Sequence, residues 1–469
     1  KALNSPWGIL PAGILAGIFF LFVLNWLASE RTTSPVVSAL TSSTLLWSVA
    51  ALTPIIYLLG FGFDGFLHRA SEQILLTTGT LTPRPPYYIG QYVFVTWFSR
   101  LSGLGLATID RWLVPFVSGL VPIAALALTG TDKDRRFSLL SIAAFIPLAI
   151  LAATTPQSFA YLIGLAAIFC GFGVRGKTVH PLLPLLLAAW SVVVHPLAGL
   201  PLAGVVIGQL WIALGARYNL RTWLVRLFVA PIALGVSTIV PVAFAIHGQT
   251  SNTQVDWHIE RLSQLATWKD VFMQFFQTPV AHLALWPDWA DTVRWLIPLL
   301  LIAGAISAII KRKEERNTWF LLSLSAIGLL LAGAILHQAG EFAFLIDYER
   351  GNYAERLSLL ASLVILPMAL VGWSVLWQRL EQTSPLQRVG LVCFFGAIVA
   401  GNTYNALPRH DAAIIGHGWS VGQADIDTVK FIEKDAQGEP YTVLANQSVS
   451  AAAVSTLGFK RYHNDVFFY

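Results

Sequence analysis

The sequence predicts an all-α polytopic membrane protein, and three observations predict it. Of 469 residues, 55% are hydrophobic and 12% charged, with a mean hydropathy of +0.65; an ordinary soluble domain carries about 25% charged residues. Apolar runs near the length of about 20 residues that crosses a bilayer recur along the chain. The cationic residues gather in alternate short connections between those runs, the pattern that orients a membrane protein. The net charge of +5 is therefore read as a topology signal, with no nucleic acid expected as a partner.

About twelve transmembrane helices are expected, over 7–27, 43–63, 111–130, 137–153, 156–174, 179–195, 197–215, 223–246, 292–310, 318–337, 357–377 and 388–405. Pro115, Pro147, Pro184 and Pro241 fall inside these runs, where neighbouring helices can satisfy the freed backbone groups. The pair around His195–Pro196 also fits a single broken hairpin dipping into the membrane. Cys170 and Cys393 both lie in apolar runs and read as small buried hydrophobes, with no disulfide or metal framework.

Orientation follows from the connections. Arg31, Lys133, Arg135, Arg136, Arg175, Lys177, Arg217, Arg221, Lys311, Arg312, Lys313, Arg316, Arg379 and Arg388 fall in one alternate set, which places that set in the cytoplasm. The loops 64–110, 154–156, 195–197, 247–291 and 338–356 and the tail after 405 then face outward. An integral protein of a bacterial or archaeal cell membrane is expected, with its long loops and C-terminus extracytoplasmic. The chain divides into a transmembrane domain, 1–405, and a small α/β segment, 406–469, in which DIDTVKFIEKDA reads as a helix and YTVLANQSV as a strand. It opens on Lys1 and stops at Tyr469, which leaves room for residues before and for a larger domain beyond.

The outer loops carry more than linkers. Segment 64–77 reads as an amphipathic helix, and 91–104 as a helix lying in the interface with Trp97 at headgroup depth. Segment 254–277 also has helical spacing, and 281–291 adds Trp286, Pro287, Asp288 and Trp289.

Asp64 is the first carboxylate after the second apolar run, flanked by Phe61, Phe63 and Phe66. A partly desolvated acid there can take a proton from an acceptor hydroxyl; the structural alternative is a helix cap. Asp64, His68 and Glu72 follow at i, i+4 and i+8, near one face of a helix, as a catalytic group or as ligands of a divalent metal. A solvated polar face is the bland reading of the same spacing.

Arg69, Arg84, Arg350 and Arg356 can each pair bidentately with a phosphate. The loop HQAGEFAFLIDYERGNYAERLSLL adds His337, Glu341, Asp347, Glu349 and Glu355, although Glu355–Arg356 also fits a local helix-start pair. His195 is an ionisable residue in an apolar stretch and so a candidate for substrate contact. Tyr87, Tyr88 and Tyr92 can stack on a sugar or anchor in headgroups. Asp256 and His258 are accessory candidates. No Walker A, HExxH or GxSxG sequence is present, which argues against ATP hydrolysis, zincin chemistry and a serine nucleophile elbow.

Taken together, the apolar runs, the acid in an early outer loop, the segments 64–77 and 91–104 and the tail from about 406 resemble the GT-C superfamily of integral membrane glycosyltransferases. The resemblance covers the whole length as an architecture. It implies a polyprenyl-phosphate-linked sugar as donor and transfer with inversion on the extracytoplasmic face. Asp64 would then be the catalytic acid, with His68 and Glu72 holding it or a metal, and Arg350 or Arg356 on the departing lipid phosphate. The family commonly has an acidic pair or a spaced acidic motif in the first outer loop; here Asp64 has no adjacent acid, and the nearest is Glu72. A transporter or flippase of a lipid-linked or small solute, and a non-catalytic scaffold subunit, are the competing readings.

Overall fold

The computed structural model describes residues 3–32, 34–81, 86–129, 136–247, 255–264, 284–342, 351–381, 385–412 and 414–461. Among these, ten helices are long and apolar enough to cross a bilayer, and the only named strands are two of two residues each. The chain is an all-α polytopic membrane protein.

Helices α1 (Ile14–Arg31) and α2 (Pro35–Ile56) open the bundle, α2 with proline at its first position, where no N–H is needed. Two short helices follow outside the spans. These are α3 (Asp64–Thr78), closed by Gly79 in the left-handed region, and α4 (Ile89–Ser102). The bundle resumes with α5 (Leu106–Ala124), extended by the single turn α6 (Leu126–Thr129). The expected span 137–153 is instead α7 (Arg136–Phe145) and a 3-10 turn, Leu148–Leu151. Pro147 lies between them, and a proline there removes a helical hydrogen bond and breaks the turn.

Next come α8 (Pro156–Arg175), α9 (Leu182–Val194) and α10 (Pro196–Arg217). The expected span 179–195 is only the thirteen residues of α9, about 20 Å at helical rise and short of the hydrocarbon thickness. His195 ends α9 and caps α10, its Nδ1 accepting from the Ala198 N–H at 3.2 Å. The long helices α11 (Thr222–His247), α12 (Leu285–Lys311), α13 (Arg316–Ala339), α14 (Asn352–Glu381) and α15 (Pro385–Ala406) complete the bundle. One contiguous apolar core runs through it.

The described part of 254–277 is not the expected helix. Asp256–Trp257 (β1) pairs antiparallel with Gly340–Glu341 (β2), and a 3-10 turn follows at Ile259–Ser263. Trp286, Pro287, Asp288 and Trp289 belong to the first turns of α12 rather than to a loop.

The tail forms α16 (Gln423–Asp435) and α17 (Gln447–Leu457). The expected strand over 441–449 is not formed as such: Leu444 sits in a single bridge, and Asn446 caps α17 by accepting from the Val449 N–H. Side chains at 441–445 pack with the tail core instead, where Val429, Ala451 and Ala452 close over Phe66 of α3. Ser420 donates to the carbonyls of Gly60 and Gly62, so the tail is fastened to the approach of α3. That helix is thus held between the tail on one side and α4 and α5 on the other.

Two neighbours of basic connections touch the turn between α12 and α13 or the start of α13. Arg175 donates to the Glu314 carbonyl, and Arg226 to the Asn317 side chain. Helices α3 and α4, the α9–α10 junction and the β1–β2 ribbon lie with the alternate set of connections.

Candidate functional site

Helix α4 builds the site because it has two distinct sides. Toward α3 it offers Gln91 and Tyr92, both buried; toward the lipid side it offers Phe94 and Phe98 as groove wall. Its start is pressed against the end of α9. A Cβ at Gly90 would stand 2.8 Å from the backbone of Val193 and Val194, so only glycine permits the approach. That approach lays Tyr88 on His195, ring centroids 5.3 Å apart and 21° from parallel.

His68 joins the same layer. Its ring meets Tyr88 edge-on at 5.2 Å, and its Nδ1 is 2.8 Å from the Tyr92 hydroxyl. Side chains from α3, the start of α4 and the α9–α10 junction therefore meet at His68, Tyr88 and His195. Tyr87 is exposed. Burial, then the charge of Arg356, holds the His195 imidazole down to about 4, against a smaller upward pull from its backbone hydrogen bond. The ring is neutral near pH 7. With Nδ1 accepting from Ala198, its proton is assigned to Nε2.

Asp64, His68 and Glu72 do not present one solvent face. Asp64 is exposed at the first turn of α3, His68 is buried, and Glu72 has no exposed surface. Each four-residue step advances about 40° beyond a full turn, so eight residues carry the row from solvent to interior. Among the described residues no three His, Cys, Asp or Glu side chains group as metal ligands, and these three do not form the metal site considered above.

Glu72 accepts from Gln91 Nε2 at 3.2 Å. Burial raises its carboxyl well above the usual value, followed by repulsion from Asp110, while Gln91 and Arg69 pull it down. Arg69 is engaged inside: it donates to Asp110 at 3.2 Å and to the Leu59 carbonyl at 3.0 Å, and lies over the Phe66 ring.

The remaining candidates divide. Arg356 is half-buried with its guanidinium 5.0 Å from the Tyr353 ring centroid, near enough to act on His195. Glu341 is taken up in the ribbon, 3.0 Å from His258 and 3.4 Å from Arg261. Asp256 is exposed in β1 and His337 at the end of α13. Arg84, Asp347, Glu349 and Arg350 lie outside the described residues. Sequence reasoning missed Asp110 and Gln91. An acid in the first turns of a spanning helix was the signal for Asp110; nothing marked Gln91.

Beneath the polar layer runs an apolar groove of about 1090 Å³, walled by α4, α5, α8 and α9. Its lining on α5 extends from Thr108 to Ala124, about 24 Å at helical rise, most of a hydrocarbon core of about 30 Å. Trp190 and Phe159 stand at its upper end against Phe94.

No family model matches the chain, and no curated relative does. The solved structures similar to it include the archaeal oligosaccharyltransferase AglB from Archaeoglobus fulgidus, in complex with an inhibitory peptide and a dolichol-phosphate. It has a TM-score of 0.49 and 12% identity, over 90% of this chain and 63% of that one. The chain therefore spans less than two thirds of the length of that enzyme.

Proposed function

We propose that the chain is an inverting membrane glycosyltransferase that takes its sugar from a polyprenyl-phosphate carrier on the extracytoplasmic face. The observation that carries this reading is the two-sided helix α4, which joins a polar, aromatic layer to an apolar groove of bilayer depth. A reactive phosphate at the membrane boundary with its hydrocarbon tail in the groove suits that shape. Contact of the basic connection after α8 with the one between α12 and α13, away from α3 and α4, supports the orientation.

In this reading Asp64, exposed at the start of α3, accepts the proton as an acceptor hydroxyl attacks the anomeric carbon. The carbon–oxygen bond to the carrier breaks, and the polyprenyl phosphate departs with the electron pair. His195, offering an Nε2–H, and Arg356 stabilise the charge growing on the phosphate. Tyr88 is the surface on which a sugar ring can stack, while Glu72, closed off from solvent, positions α3 against α4. Arg84 and Arg350 are further candidates for the phosphate. A transporter would need ionisable groups near the bilayer midplane. In the buried ion pairs among the described residues, Arg69–Asp110, Arg409–Asp291 and Arg409–Asp411, the members that lie on spanning helices, Asp110 and Asp291, are in the first two turns.

Transfer of a radiolabelled sugar from a polyprenyl-phosphate donor in proteoliposomes tests the reading. Asp64→Asn is expected to lower the rate on the order of 10²–10⁴-fold with unchanged thermal unfolding. A variant as active as the parent sinks the assignment of the base, and no transfer by the parent from any such donor sinks the enzyme.

A further inference from the structure

The end of the bundle opposite α3 holds a second polar pocket, of about 330 Å³, where α8 and α10 meet the connection between α12 and α13. Gln209 of α10 lines it and is 4% exposed. Its Nε2 donates to the Ile168 carbonyl at 3.1 Å, which fixes which end of the amide is which. The amide oxygen, Oε1, is buried and has no hydrogen-bond partner. A Cβ at Gly171 would stand 2.2 Å from that oxygen, so glycine makes the room it occupies.

An orphaned buried acceptor calls for a donor. The same pocket is lined by Glu314, Glu315 and Arg175; Arg175 donates to the Glu314 carbonyl at 2.7 Å, and Arg312 lies 3.7 Å from the exposed Glu314 carboxylate. Acceptor and carboxylates together favour a cation bearing N–H groups; Arg175 favours an anion. The ligand that satisfies both is zwitterionic, and its ammonium must retain hydrogens. Ala127 and Thr178 line both this pocket and the apolar groove, so hydrocarbon attached to such a headgroup has a place to go.

We propose that this pocket binds the phosphoethanolamine headgroup of a phosphatidylethanolamine from the leaflet opposite the glycosyl-transfer site. The phosphate pairs with Arg175, the ammonium donates to Gln209 Oε1 and the neighbouring carboxylates, and an acyl chain enters the lower groove. The headgroup pocket is argued without the glycosyltransferase reading and is tested without any transfer assay. Its acyl chain takes the lower end of the groove whose upper end that reading gives to the carrier.

The full chain, purified in detergent, is titrated with phosphatidylethanolamine, its N-monomethyl and N,N-dimethyl derivatives, phosphatidylcholine and phosphatidylglycerol, all with matched acyl chains. Retained lipid is read by native mass spectrometry. The expected result is retention that falls along the methylation series, with phosphatidylethanolamine favoured over phosphatidylcholine on the order of tenfold, as for one hydrogen bond to a charged group. Gln209→Leu removes that preference. Glu314→Gln, at an exposed side chain that puts no folding at risk, reduces it, and Arg175→Gln weakens phosphatidylethanolamine and phosphatidylcholine alike. Soluble phosphoethanolamine at the lipid's concentration leaves the lipid bound. Equal retention of all five lipids marks an annular lipid only and overturns the proposal. So does a preference that survives both Gln209→Leu and Glu314→Gln, or displacement by the soluble headgroup.

Discussion

Arg409 and Arg69 are both held inside the protein by carboxylates, yet their surroundings end in opposite states. Arg409 donates to Asp291, to Asp411 at 2.7 Å and to Asn405 at 3.0 Å, and none of these side chains keeps a buried polar atom without a partner. Around Arg69 the sum does not close. Arg69 Nε, Asp110 Oδ1, Glu72 Oε2 and Gln91 Oε1 are all buried without a hydrogen-bond partner. The first cluster joins the tail to the starts of α12 and the end of α15, where a saturated network fixes one arrangement. The second lies behind the His68–Tyr88–His195 layer, and its unmatched atoms leave it responsive to protonation. A closed network fastens the tail here, and an open one lies beside the candidate site.

Breaking the closed cluster has the largest expected effect on folding. Arg409→Met leaves Asp291 and Asp411 partly buried without their cation, which costs about 3–5 kcal/mol, read as a lowered midpoint of thermal unfolding. Transfer activity per folded molecule should remain that of the parent; lost activity in a folded variant would give Arg409 a role beyond fastening the tail. Arg69→Met is expected to cost less, about 1–3 kcal/mol, because its network is already incomplete. Asp110→Asn in the same chain should recover part of that loss, since the orphaned charge is gone. A double-mutant cycle measures the recovery, and strict additivity would separate the two residues.

The bundle was legible in the sequence because bilayer thickness imposes a minimum length on every apolar run, and only Pro147 and the shortness of α9 upset the count. Apolar pattern also found α3 and α4. Which side chains meet was harder to read. The contact of Tyr88 with His195 depends on Gly90 touching the backbone at Val193 and Val194, a fit set by a helix about a hundred residues away. The burial of Glu72 depends on α4 and α5 covering one side of α3 while the tail covers another. The sequence spacing of Asp64, His68 and Glu72 was real, but a helix turns such a row through solvent and core alike.

On the open side of the responsive cluster, Tyr88→Ala removes the ring that faces both His68 and His195. Stacking of this kind is worth about 0.5–1.5 kcal/mol, so KM for the donor should rise roughly 2–10-fold with a smaller change in kcat. An unchanged KM would place the sugar elsewhere.

The smallest effect is also the sharpest test of the contrast. Glu72 is buried with its carboxyl value raised, by desolvation first and Asp110 second. A carboxyl raised on folding contributes stability that is complete below its unfolded value of about 4.3 and is lost as pH climbs through the higher folded value. The parent's unfolding midpoint should therefore decline as pH rises above about 4.3, and Glu72→Gln, which has no proton to release, should show a shallower decline. At neutral pH the variant should be at least as stable as the parent, the reverse of Arg409→Met. A Glu72→Gln protein that loses stability at neutral pH, with the parent's slope intact, would mean that Glu72 is held ionised and that its network is as closed as the one around Arg409.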